Sequence, residues 1–124
     1  MKILTIIIIL LFCSIEVLTQ EFELIGPPGG VVRSIGINPL NPNTVYAGQD
    51  GLIERSYDGG ETGYPLFNKF KNQSVRQIVI PDTDTNIIFA SISSGAIKSS
   101  NRGKDWEFIH QSSSPVYDIQ FKLN

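Results

Sequence analysis

The chain has one cysteine, Cys13, and one histidine, His110, in 124 residues. A single thiol cannot build a disulfide framework or a Cys-rich zinc site. A single imidazole excludes most His-based metal and triad chemistry within the chain. No metal ion and no cofactor is therefore expected. An excess of basic residues is also missing: ten Lys and Arg stand against twelve Asp and Glu, a net charge of −2. Nucleic-acid binders show a basic face, and this balance argues against one. The length fits one ordinary domain and not two. Within it, 41% hydrophobic and 18% charged residues are the composition of a globular chain rather than a disordered one.

The first twenty residues form an address. Lys2 gives a short positive start, residues 3–13 are apolar except for Thr5, and Ser14, Glu16, Thr19 and Gln20 follow. A charged start, an apolar run of this length and a polar end make a secretory signal peptide over residues 1–20. The apolar run is about half of the ~20 residues that a membrane-spanning helix needs. An uncleaved anchor reaching Leu18 is the alternative. Val17 and Thr19 would fill the positions before a cut after Thr19 or Gln20. Residues 21–124 are then expected to be secreted or periplasmic, without a stable membrane span and without cysteine.

The rest of the chain repeats itself. At an offset of 43, Val32 falls on Val75, Arg33 on Arg76, Ile35 on Ile78 and Ile37 on Ile80. Further along, Asn43 falls on Asn86, Tyr46 on Phe89, Ala47 on Ala90, Ser56 on Ser99 and Gly60 on Gly103. A third copy begins at Val116, at an offset of 41 from Val75. The repeats run over about 29–71 and 72–112, with the start of a third in 113–124. Each copy reads as short strands: 32–37 and 75–80, 44–47 and 87–92, 52–55 and 95–98, then 64–67 and 106–109. Pro, Asn and Asp between the first two strands of each copy make turns. Four short strands in a period of some forty residues are the signature of propeller blades. The expected fold is all-β: two four-stranded blades and the first strand of a third, an incomplete propeller following a helical signal peptide.

The segment before each last strand is Ser56, Asp58, Gly60, Thr62 in the first copy and Ser99, Asn101, Gly103, Trp106 in the second. These two segments resemble the Asp-box, Ser-x-Asp-x-Gly-x-Thr-Trp, of the sialidase-type (BNR) repeat propeller superfamily. That superfamily includes sialidases, xyloglucanase-like hydrolases, sortilin-like receptors and photosystem assembly factors. The resemblance covers roughly 29–124 and implies a structural role for the box residues, at the blade periphery. The turn chemistry agrees: Asp or Asn accepts backbone N–H bonds, and glycine takes the positive φ that other residues resist. Two departures stand out. Gly63 occupies the Trp position of the first box, where Tyr64 is expected to supply the ring. Asn101 and Asp105 replace Asp and Thr in the second, where a formed but weaker turn is expected.

Catalytic signals are thin. Sialidase chemistry needs an arginine triad and an Arg-Ile-Pro motif, and no Arg-Ile-Pro occurs. Arg33 and Arg76 share a repeat position, which suits a repeat-structural role. Asp50, before Gly51, resembles the place of a catalytic carboxylate in xyloglucanase-like hydrolases, but Asp-Gly is also a strong hairpin pair, and the second copy has Ser93 and Ser94 there. Glycoside hydrolysis needs a second carboxylate facing the first. His110 follows a strand and reads as surface loop, and Asn72, with Ser74, makes a glycosylation sequon. The resulting expectation is a binding or scaffold module for a protein or glycan, with no catalysis by this chain alone. The alternative is the N-terminal part of a glycoside hydrolase. Self-association through unclosed sheet edges is expected of so few blades.

Overall fold

The computed structural model describes residues 30–66, 71–120 and 122. The signal peptide expected over 1–20 lies outside them, as do Phe67 and Phe121. The described residues form eight strands and no helix. β1 (Ser34–Ile37), β2 (Val45–Gly48), β3 (Ile53–Ser56) and β4 (Tyr64–Leu66) make one antiparallel sheet in chain order. β5 (Val75–Val79), β6 (Ile88–Ile92), β7 (Gly95–Ser99) and β8 (Glu107–Gln111) make a second with the same order. Both sheets are open: their first and last strands do not pair with each other.

Local chemistry explains the strand ends. Between β1 and β2 the Asn38 side chain accepts the N–H groups of Leu40 and Asn41. Between β5 and β6 the Asp84 side chain accepts the N–H of Asn86. Each is an Asx-turn that satisfies backbone donors outside the ladder. Gly51, at φ 76°, turns the chain between β2 and β3, as an Asp-Gly hairpin requires. His110 lies inside β8, opposite Ala96, and not in a loop as its place in the sequence suggested.

The apolar residues of the strands, together with Trp106 just before β8, meet in one core that includes Tyr46, Ile53, Leu66, Ile88 and Ile97. The two sheets stack with β1 beside β5. Gly36 and Gly48 of the first sheet leave no room for a side chain. A Cβ on Gly36 would lie 2.5 Å from Ile78 Cγ2, and one on Gly48 would lie 2.6 Å from Val75 Cγ1. Val75 and Ile78 fill the places that these glycines leave and are buried. Polar bonds cross the same seam. Ser34 Oγ donates to the Val75 carbonyl, Val75 N–H to the Gln49 carbonyl, and Gly51 N–H to the Gln73 carbonyl.

The third copy is present as a segment rather than a strand. Residues 115–120 join no ladder, because a lone first strand has nothing to pair with among the described residues. The segment is nevertheless held against β5. Gln77 Nε2 donates to Asp118, Ile119 N–H donates to Gln77 Oε1, and the Arg76 guanidinium stacks on Tyr117. Asp118 stands 41 residues beyond Gln77, the same separation as between Ser34 and Val75 at the first seam.

Candidate functional site

The motif residues build two clasps, one between β3 and β4 and one between β7 and β8. Ser56 and Ser99 are buried, and their hydroxyls are the hubs. Ser56 Oγ accepts the N–H groups of Asp58 and Gly60 and donates to Asp58 Oδ1. Ser99 Oγ accepts those of Asn101 and Gly103 and donates to Asn101 Oδ1. Asp58 and Asn101 then reach four residues on, to the N–H groups of Thr62 and Asp105. The serine therefore satisfies the near donors, where the sequence pattern suggested the Asp or Asn. Gly60 and Gly103 take φ 103° and 83°, as expected of them, and the preceding Gly59 and Arg102 are also positive at 76° and 58°. Arg102 is held there by Asn86, whose carbonyl accepts its N–H and whose Oδ1 accepts its Nε–H. Asn43 accepts the Gly59 N–H in the same way. This latch was visible in the sequence only as the Asn43 to Asn86 match.

The second clasp reverses the polarity of the first. In the first, Thr62 Oγ1 donates to the Asp58 carboxylate. In the second, Asn101 Nδ2 donates to the Asp105 carboxylate at 2.8 Å. The two replacements thus compensate each other. Its hydrogen bonding is as complete as that of the first clasp. Asn101→Asp is expected to set two carboxylates against each other and to cost about 1 kcal/mol, a lost hydrogen bond plus an exposed repulsion. Adding Asp105→Thr rebuilds the first pattern and is expected to restore the midpoint of urea unfolding.

The ring expected from Tyr64 is not supplied. Tyr64 is 55% exposed and leans on the exposed Tyr57, with ring centres 6.3 Å apart. A one-residue shift along a strand turns the side chain to the opposite face. Trp106 has no such shift: it is buried, and its indole N–H donates to the Gly103 carbonyl.

At another edge of the sheets, the β2–β3 hairpin brings Asp50 to Arg33. The guanidinium grips the carboxylate with two bonds, Nε to Oδ1 at 2.6 Å and Nη2 to Oδ2 at 2.7 Å. That bond, then the Ser74 hydroxyl and the charges of Arg33 and Arg76, lower the Asp50 pKa to about 2. Arg76 has no carboxylate at the matching place, where Ser93 stands. Its Nε is buried without a hydrogen-bond partner, and its guanidinium lies 4.7 Å from the centre of the Tyr117 ring. Arg33, Asp50, Ser74, Arg76 and Tyr117 thus form a continuous rim across successive repeats, with two guanidinium groups to one carboxylate. The sequence showed Arg33 and Arg76 as a repeated pair; it did not show that Asp50 closes on one of them. Among the described residues, no group of His, Cys, Asp and Glu side chains could hold a metal ion.

Comparison with solved structures gives this arrangement its context. No family model matches the chain, and a search of curated proteins returns no match. An ancestral GH74 enzyme superposes with a TM-score of 0.57 at 21% identity, covering 64% of this chain and 13% of that one. YCF48 from Cyanidioschyzon merolae gives 0.56 at 22%, covering 72% and 27%. The two sheets are propeller blades. The GH74 xyloglucanase from Xanthomonas campestris gives 0.51 at 16%, covering 62% and 13%. The chain therefore spans less than a third of the length of each of these propellers. β1 and β5 are the first strands of successive blades, the clasps join their last two strands, and the rim lies at the seam between blades.

Proposed function

We propose that the chain is an exported propeller module that binds a protein or glycan ligand through the Arg33–Asp50–Arg76 rim, and that it performs no catalysis by itself. The state of Asp50 carries this reading. A general acid must hold its proton near neutral pH, which calls for a raised carboxyl pKa, and a general base or nucleophile must be ionised with an oxygen free to face the substrate. Asp50 is moved the other way, and both of its oxygens are bound by one guanidinium. A bidentate pair of this kind fixes geometry. It makes Asp50 a counter-ion that sets the hairpin in place, and it leaves Arg76 and Tyr117 to meet a ligand. With two cations to one anion, the rim favours a ligand that presents carboxylates.

A second reading takes the chain as the N-terminal part of a glycoside hydrolase, xyloglucanase-like rather than sialidase-like. The likeness to GH74 enzymes favours it. Asp50 would then need a second carboxylate about 5–9.5 Å away across the scissile bond.

Two assays separate the readings. Incubated with xyloglucan, the chain is expected to release no reducing sugar. In native gels cast with polygalacturonate it is expected to be retarded, and Arg76→Ala is expected to lose most of that retardation. Release of sugar that Asp50→Asn abolishes would establish the hydrolase instead, and equal mobility with and without polygalacturonate would remove the rim as the binding site.

A further inference from the structure

A cavity that shares no residue with the rim opens where the first blade meets the clasp of the second. It holds about 220 Å³, and the first blade lines it with Asn38, Thr44, Tyr46 and Tyr57, the second with Thr85 and Arg102. The lining is rich in donors. Asn38 Oδ1 and its neighbour Asn41 Oδ1 accept backbone N–H groups of their own turn, so the Nδ2 amides are what that turn offers a ligand. Thr44, Tyr46 and Thr85 supply hydroxyls and Arg102 a cation, and no acid among the described residues lines the cavity. Leu40 and Tyr57 add apolar surface, and both are exposed.

The repeat departs from itself at this cavity. Forty-three residues beyond Asn38, Thr44 and Tyr46 stand Pro81, Ile87 and Phe89, which carry no side-chain donor. Tyr57 has Ser100 as its counterpart. Arg102 stands where the first copy has Gly59, and its φ of 58° lies in a region that glycine enters freely and other residues enter at a cost. The latch does not call for an arginine, since Asn43 holds the Gly59 N–H by the same backbone bond that Asn86 makes to Arg102. What the arginine adds is a guanidinium, oriented by the bond from its Nε to Asn86 Oδ1. The walls beside it are also held. Arg55 Nη1 donates to the Arg102 carbonyl, and the Arg55 guanidinium lies 4.6 Å from the centre of the Tyr57 ring. Groups fixed in advance lose little freedom when a ligand arrives.

We infer that this cavity binds a single acidic sugar unit, a hexuronate, with its carboxylate on Arg102, its hydroxyls on the amides and hydroxyls of the lining, and its ring against Tyr57. The size fits. The cavity is smaller than the ~300–1,000 Å³ of sites for drug-sized ligands, and it equals about seven waters at ~30 Å³ each, room for one sugar ring. A bare oxyanion would leave the Tyr57 and Leu40 surface unused. A neutral sugar would leave Arg102 without a counter-charge. The inference does not rest on the rim, because none of Arg33, Asp50, Arg76 and Tyr117 lines the cavity.

The test is saturation-transfer difference NMR on the full chain, with sodium glucuronate and glucose as probes. Glucuronate is expected to bind with a dissociation constant of about 1 mM, the order for a ligand of so few atoms. Glucose is expected to bind several-fold more weakly, and equimolar inorganic phosphate is expected to leave the glucuronate signal in place. Two variants each borrow the residue that the other copy carries at the matching position, so the fold accepts them and their melting temperatures are expected to change little. Arg102→Gly is expected to weaken glucuronate about tenfold, the order of a lost charge-assisted hydrogen bond. Tyr57→Ser is expected to weaken it about fivefold, as loss of an aromatic contact does. Arg76→Ala is expected to leave it unchanged, which separates the cavity from the rim. No glucuronate signal at concentrations well above that constant would overturn the inference. So would equal binding of glucose, displacement by phosphate, or undiminished binding by folded Arg102→Gly or Tyr57→Ser.

Discussion

Trp106→Ala is expected to lower the unfolding free energy by about 3–5 kcal/mol, the range for removing a large buried aromatic side chain. The indole lies where three parts meet. It precedes β8, its N–H holds the Gly103 carbonyl, and Gly103 in turn sits against Leu66 of the first blade. A Cβ on Gly103 would come within 2.7 Å of Leu66 Cδ1 and 3.4 Å of the Trp106 ring, so the space around the indole is already filled. Truncation therefore leaves a void bounded by both blades and frees the clasp carbonyl. Urea unfolding followed by circular dichroism measures the loss. Trp106→Phe, which keeps a ring and removes only the N–H and part of the volume, is expected to lose clearly less. Equal stability of Trp106→Ala and the wild type would mean that the indole does not join the blades.

Gly36→Val is expected to cost about 1–3 kcal/mol, as overpacking does. Ile78 cannot swing away easily: its nearest atoms to the new side chain are Cγ2 and Cβ, and branching at Cβ restricts its rotamers. The blades must move apart, or the first strand must bend. Ile78→Ala removes the obstacle while giving up its own burial. The double variant Gly36→Val with Ile78→Ala is expected to be more stable than the sum of the single effects predicts, by about 0.5–3 kcal/mol of coupling. Additive losses would show that the two side chains do not meet at the seam.

Much of this architecture was legible in the sequence because repetition let each segment support its twin. β6 and β7 came within a residue of their expected bounds, since β-branched and aromatic runs flanked by Asn, Gly and Ser leave little choice. The clasps were legible as turns for the same reason. What escaped was whatever depends on a partner distant in sequence. Tyr64 looked like a substitute for tryptophan because the pattern counts residues, whereas the pleat sends neighbours to opposite faces. The rim escaped because Arg33 and Asp50 meet only through the β1–β2–β3 ladder, and each had a sufficient local explanation. The third repeat read as a strand because its pattern is that of one, yet a ladder takes two. The hub role of Ser56 and Ser99 was hidden behind the more familiar acid two residues on.

The opposed polarity of the clasps bears on how the repeats can exchange material. An unequal crossover between the copies that fell inside the turn would join the front of one clasp to the back of the other. A hybrid with the Asp58 front and the Asp105 back brings two acids together, whereas the Asn101 front joined to the Thr62 back brings together two uncharged groups. Recombination at this point is thus tolerated in one direction and penalised in the other, so a lineage of such genes should show mosaic turns of only the neutral type.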